Sequence, residues 1–276
     1  VEISIPFSTF KINNSNSINW RINILRYLPR NDTRREYSWV KYNRDNECYL
    51  CQLGILKGIQ NIDQNHNLNI LPSYITSFEN SSINDFSLGF SIPIKNINAE
   101  LTINPDFSQV ESDLTEIDIN SNTALFYPES RPFFNEGTDL FNTGENSWKP
   151  KVLAIYTRSI NKPIWASKII GHSGKLKYGY LGAVDQDTYL IIPFSENTPT
   201  INVKKSYSNI FRTKYSLNEG AYLGVVLSER KYLNSGKSTL YGIDGLYRFN
   251  NNLSLDYQLF ISETIEPNDT TGYSIL

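Results

Sequence analysis

Seven carboxylates fall between Asn104 and Gly137, in NPDFSQVESDLTEIDINSNTALFYPESRPFFNEG, with an arginine set between serine and proline and several aromatic rings. Glu111 and Asp113, two residues apart, share one face of an extended strand. Two carboxyls so placed can reach the roughly 5–10 Å separation that a glycosidase acid and its nucleophile or base require. They are therefore the candidates for catalysis. Glu116 and Asp118 repeat the spacing, however, and a run of four acids also describes a solvated strand surface. Calcium is the second chemistry available, with Asp106, Glu111 and Asp113 as hard oxygen ligands, although the D-x-[DN]-x-[DN]-G loop is absent. The third reading is structural. Arg131 can make bidentate bonds to Glu111, Glu129 or Glu136, with Phe133 and Phe134 packed beside it. Asn104-Pro105-Asp106 ends the preceding strand LTIN, since proline has no N–H for a ladder and Asn and Asp close turns with their side chains.

The only cysteines, Cys48 and Cys51, form one C-x-x-C. Zinc would need two more ligands, and His66 and His172 lack metal-motif spacing with the pair. No helical pattern follows that would suit a thioredoxin-like site. A local disulfide in an oxidising compartment is the reading adopted, and no cofactor is expected.

The elements that must position these groups are strands. The chain has 276 residues, 39% apolar and 13% aromatic, with 18 tyrosines and only 20% charged residues. That composition suits a half-buried pleated surface. A net charge of −2 without a basic block offers nucleic acid no footprint. Methionine is absent and Val1 already lies in strand-like sequence, so the chain reads as an internal fragment. No stretch approaches the roughly 20 apolar residues of a transmembrane helix. Between Thr239 and Ser262, Tyr241, Ile243, Gly245, Tyr247 and Phe249 share a face, and after Asn250-Asn251-Asn252 so do Leu253, Leu255, Tyr257, Leu259 and Ile261. Phe211 to Leu217 and Ala221 to Ser228 repeat the pattern around Asn218-Glu219-Gly220, and Leu176 to Asp185 adds a third such strand. Segments of this length with short turns, aromatics toward their ends and Arg, Lys and Asp on the second face fit a membrane-spanning barrel. A soluble antiparallel sheet with one wet face shows the same alternation. In the barrel reading, Asp106, Gln109, Glu111, Arg131 and Glu136 form a polar plug or lumen lining.

The first sixty residues read differently. VEISIPFSTF and INWRINILRYL are predicted strands, SWVKY a further one, and Ile18, Trp20, Ile22 and Ile24 share a face on which Trp20 reads as core. The polar run Asn61 to Asn69 is the predicted linker, with a boundary near Asp63. The order IPFSTF, INWRINILRYLPR, SWV, CQLGILKGI, LNILPSYIT, then INPDFSQVESD and FYPESRPFFNEGTDLF, resembles the DUF5916 family of Bacteroidetes-type outer-membrane proteins. YTRSI, SKIIGHSGKLKYGYLGAV and GAYLGVVLSERKY follow in the family's order.

The resemblance implies an all-β chain. Residues 1–62 would end a carbohydrate-binding family-9-like sandwich, and 63–276 would supply antiparallel up-and-down strands of an incomplete outer-membrane β-barrel, both domains being cut. It further implies a glycan partner, with Tyr27, Tyr37 and Trp39 as sugar-stacking candidates, and an outer-membrane bilayer around the strands. The expected role is glycan binding or uptake at a Gram-negative envelope. Its alternatives are a glycoside hydrolase and a structural or secretion-associated barrel that binds protein.

Overall fold

Period-two alternation carries directly into the backbone. The computed structural model describes residues 3–5, 18–30, 33–43, 46, 48–60, 68–78, 82–105, 129–143, 152–191, 200–202, 204–217, 220–233, 236–250, 253–265 and 271–275. Near the N-terminus β1 (Ile18–Ile22) pairs with β4 (Gly54–Ile59), and β2 (Leu25–Arg30) with β3 (Thr33–Ser38). Ten further strands make one antiparallel sheet: β5 (Asn69–Phe78), β6 (Ser82–Ile94), β7 (Ile97–Ile103), β8 (Pro163–Ser173), β9 (Leu176–Asp185), β12 (Ser206–Ser216), β13 (Tyr222–Tyr232), β14 (Gly236–Arg248), β15 (Ser254–Ile265) and β16 (Thr271–Ile275). A separate pair, β10 (Tyr189–Ile191) and β11 (Thr200–Asn202), lies within the β9–β12 connection.

Within the large sheet each strand lies beside its predecessor, so the topology is up-and-down. Among the described residues the edge strands β5 and β16 do not pair with each other, and the sheet is open. Connections at one end are short; the β8–β9 turn needs only residues 174–175, with Gly174 at φ 55°, where a side chain is strained. At the other end run the long connections 104–162 and 186–205.

The N-terminal reading needs two corrections. INWRINILRYL is not one strand, because the Asn23 side-chain carbonyl accepts the N–H of Ile24 at 2.9 Å and of Val40 at 3.1 Å and breaks the ladder between β1 and β2. The same capture ends the strand expected at SWVKY, which stops with β3 at Ser38. Trp20 is only half-buried and Ile24 is 60% exposed, so they do not line one core face. The boundary near Asp63 lies outside the described residues.

The two faces of the large sheet differ in what they expose. Along β12, Ser206, Ser208, Ile210, Arg212 and Lys214 are buried, whereas Tyr207, Phe211 and Tyr215 are exposed. The exposed face continues through Leu223, Val225 and Leu227, Tyr241, Ile243 and Tyr247, and Leu255, Leu259 and Ile261. One register row, Ile92–Ala99–Ile169–Tyr180–Phe211–Leu227–Tyr241–Ile261, crosses eight strands on that face. Tyrosine rings lie where a Cβ would stand at Gly171, covered by Tyr178, and at Gly245, covered by Tyr257. The packed core is on the opposite face, where Ala166, Leu181, Ala183 and Ile210 of the sheet meet Phe134, Phe141 and Ile160 from the β7–β8 connection.

Candidate functional site

The inner face is occupied by that connection, and local sequence explains how it turns. Arg131 precedes a proline and is extended at φ −68°, ψ 123°. Pro132 then opens a one-turn helix, α1 (Pro132–Asn135), and Gly137 at φ 81° reverses the chain into α2 (Thr138–Phe141). These turns, absent from the strand-only sequence reading, bury Phe134, Leu140 and Phe141 against the wall.

Arg131, 1% exposed, ties this connection to itself. Its Nε donates to Glu129 Oε1 and its Nη2 to Glu129 Oε2, both at 2.8 Å, while Nη1 donates to the Ile160 carbonyl at 2.6 Å and Nη2 to the Thr157 carbonyl at 2.9 Å. Its guanidinium lies 4.3 Å from the Phe134 ring centroid. Burial raises the Glu129 carboxyl. Hydrogen bonds from Arg131 and Thr157, with the Arg131 charge, outweigh that effect and hold it below the ordinary carboxylate value.

The wall holds the plug through cations that seek main-chain carbonyls. Lys168 of β8 donates to Phe133 O at 2.5 Å and Glu136 O at 3.1 Å, and pairs with Glu100 at 2.9 Å. Arg212 donates to Leu140 O at 3.1 Å, and Lys214 to Asp139 O at 2.7 Å. These acceptors are carbonyls that the short helical turns leave unsatisfied. Arg212 also pairs with Asp244, which accepts the Tyr222 hydroxyl at 3.0 Å. Both members of the pair are fully buried. Gly224 makes room for them, since a Cβ there would stand 2.5 Å from Asp244 Oδ1 and 2.6 Å from Arg212 Nη1. At the long-connection end Asp185 accepts Asn161 N–H at 2.9 Å and Lys162 N–H at 2.6 Å, and Arg230 donates to Ser159 O at 2.8 Å. The connection is thus pinned from that rim, past Lys168, down to Lys214.

Part of this architecture falls in a segment with a family match. Residues 70–148 match the model of DUF5916, a domain of unknown function. The match includes β5 from Ile70, β6, β7 and the turns around Arg131 and Gly137, while the motifs that carried the sequence resemblance extend on both sides of it. No curated protein and no solved structure matches the chain.

Of the residues singled out from sequence, Arg131 finds Glu129 rather than Glu136. Glu136 lies beside the wall, with its Oε1 3.5 Å from Asn98 Nδ2. Asp106, Gln109, Glu111 and Asp113 lie outside the described residues, so the acid-pair and calcium sites have no geometry here. Among the described residues no group of three or more His, Cys, Asp and Glu gathers to hold a metal. Cys48 and Cys51 are bonded to each other, just before β4. The β2–β3 register sets Tyr37 opposite Arg26 on one face and Tyr27 opposite Glu36 on the other, so the aromatics do not form one platform. Trp39 donates its N–H to Ile24 O at 2.9 Å, which extends the ladder on the Tyr37 side.

Sequence reasoning missed Lys168, Arg212, Lys214 and Arg230. Their signal was present: each sits on the alternation face opposite the aromatics, and Arg212 and Lys214 face strand glycines at positions 179 and 224.

Proposed function

We propose that the chain supplies membrane-spanning strands to an outer-membrane β-barrel whose lumen is filled by the 129–160 plug, and that the protein captures or passes glycans without chemistry of its own. The inverted sheet carries this reading: large apolar side chains face outward while Arg212, Lys168, Lys214 and Asp244 are buried inside. In water the hydrophobic effect drives the opposite arrangement, whereas hydrocarbon favours this one. Tyr241 to Phe249 is apolar outward over about 26 Å of strand at about 3.3 Å per residue. At a barrel tilt of about 40° this covers about 20 Å of depth, near the apolar band of such proteins. Aromatics flank it, with Tyr247 and Phe249 rings 5.0 Å apart at one end and Trp165 and Tyr207 on one register row at the other. The free edges of β5 and β16 then require pairing, by further strands or by each other, because unsatisfied backbone groups cost several kcal/mol in lipid.

Exposure of Tyr37 at 51% and Trp39 at 63% on one side of a two-stranded ribbon supports the glycan part. The test is membrane fractionation combined with gel mobility before and after boiling. Recovery in the outer membrane with a boiling-dependent shift is the expected result, and soluble recovery without a shift overturns the reading. Trp39→Ala is expected to abolish retention on immobilised glycans while leaving the shift intact.

A further inference from the structure

At the end with the long connections the outward face passes from its last apolar row through Asn209, Glu229, Thr239 and Glu263, and then reaches a group of lysines. Tyr207 pairs in register with Lys231, and Lys231 with Lys237. The Leu233 N–H donates to Lys205 O, placing Lys205 one row further out, with its Nζ 5.6 Å from the Tyr207 ring centroid. Two lysines directly opposite across β13 and β14 repel. The carboxylate in this group, Glu229, lies 3.6 Å from Lys237. Among the described residues Lys205 and Lys231 have no acidic partner. Glu263, the other acid on this face, accepts the Tyr273 hydroxyl at 3.2 Å. One row inward the buried Thr239 stands in register between Glu229 and Glu263, so the cationic part of this end is the outer row.

Resting on the membrane reading above, we propose that Lys205, Lys231 and Lys237 form a binding site for the phosphate of an anionic membrane lipid. Charge complementarity requires an anion, and the position selects its source. The lysines border an apolar band on the face turned toward the bilayer, at headgroup depth, where a lipid's acyl chains lie along Phe211, Leu227 and Tyr241 while its phosphate meets the ammonium groups. Lysine is tolerated at that depth and disfavoured at mid-membrane, so three lysines beyond the polar row that ends the apolar band fit the interface.

Trp165 reports on this site, because it shares the register row of Tyr207 through Val184. The chain, in detergent micelles, is titrated with brominated phosphatidylglycerol and, separately, with brominated phosphatidylcholine, and tryptophan quenching is followed. The wild type is expected to quench at a several-fold lower mole fraction of the anionic lipid. The variant Lys205→Gln/Lys231→Gln/Lys237→Gln should quench equally with both lipids, with its boiling-dependent gel shift retained. Equal quenching of the wild type by the two lipids, or an undiminished preference in the variant, overturns the proposal. Complete competition by millimolar inorganic phosphate reassigns the site to a free anion and also overturns it. Absence of quenching by either lipid instead defeats the membrane reading itself.

Discussion

Arg131 and Arg212 show what a buried guanidinium requires. Each is at most 1% exposed, and each has a carboxylate partner and at least one main-chain carbonyl. Removing one member of such a pair leaves an uncompensated charge, so Arg212→Leu is expected to cost about 3–5 kcal/mol. The double change Arg212→Leu/Asp244→Leu should recover most of that loss, as read from urea unfolding midpoints. Glu129 makes a pH prediction. Its carboxyl titrates below its unfolded value, so its contribution is complete above about pH 4 and is lost as pH falls through the folded value. Acid is therefore expected to release the plug, detected as new protease cleavage between residues 129 and 160. Glu129→Gln should weaken the plug at neutral pH and flatten that acid dependence.

At the scale of elements, α1 and α2 are single turns that no isolated peptide would hold, since nucleation costs more than one turn returns. The wall keeps them: Lys168 and Lys214 take their free carbonyls, and Gly179 admits them. A Cβ at 179 would stand 2.7 Å from Leu140 Cδ2 and 3.0 Å from Phe141 Cζ. Gly179→Val is accordingly expected to lift α2 from the wall without unfolding the strands. In planar bilayers this should appear as higher single-channel conductance than wild type; an unchanged conductance with normal insertion would count against a lumen plug. Lys168→Ala/Lys214→Ala should act in the same direction through loss of the carbonyl contacts.

For the molecule as a whole, the sign of a surface substitution depends on what solvent the outward face meets. Leu259 and Ile243 share a register row with Val225 and Thr213, inside the apolar band. In a bilayer, Leu259→Arg is expected to cost about 2–4 kcal/mol, against about 0–1 kcal/mol for the same change near the interface. The comparison is made by reversible urea unfolding in lipid vesicles. A soluble sheet would tolerate Leu259→Arg within about 0.5 kcal/mol and gain solubility.

The all-β class, the strand pairs around residues 176–265 and their two faces were legible in the sequence, because a side-chain period of two is a local property of extended backbone. Which face is covered was not legible, because alternation is symmetric and describes a soluble sheet and a membrane sheet equally. Only the tertiary structure decided that the charged face is the buried one, by bringing residues 129–143 and 152–160 against strands as distant in sequence as β8 and β13. The same distance hid the partners: among the described residues Arg131 pairs with Glu129, and the Thr157 and Ile160 carbonyls accept from the same guanidinium. Asn23 is the converse case, a strand break that local propensity concealed, because the N–H it captures at Val40 lies beyond the next hairpin.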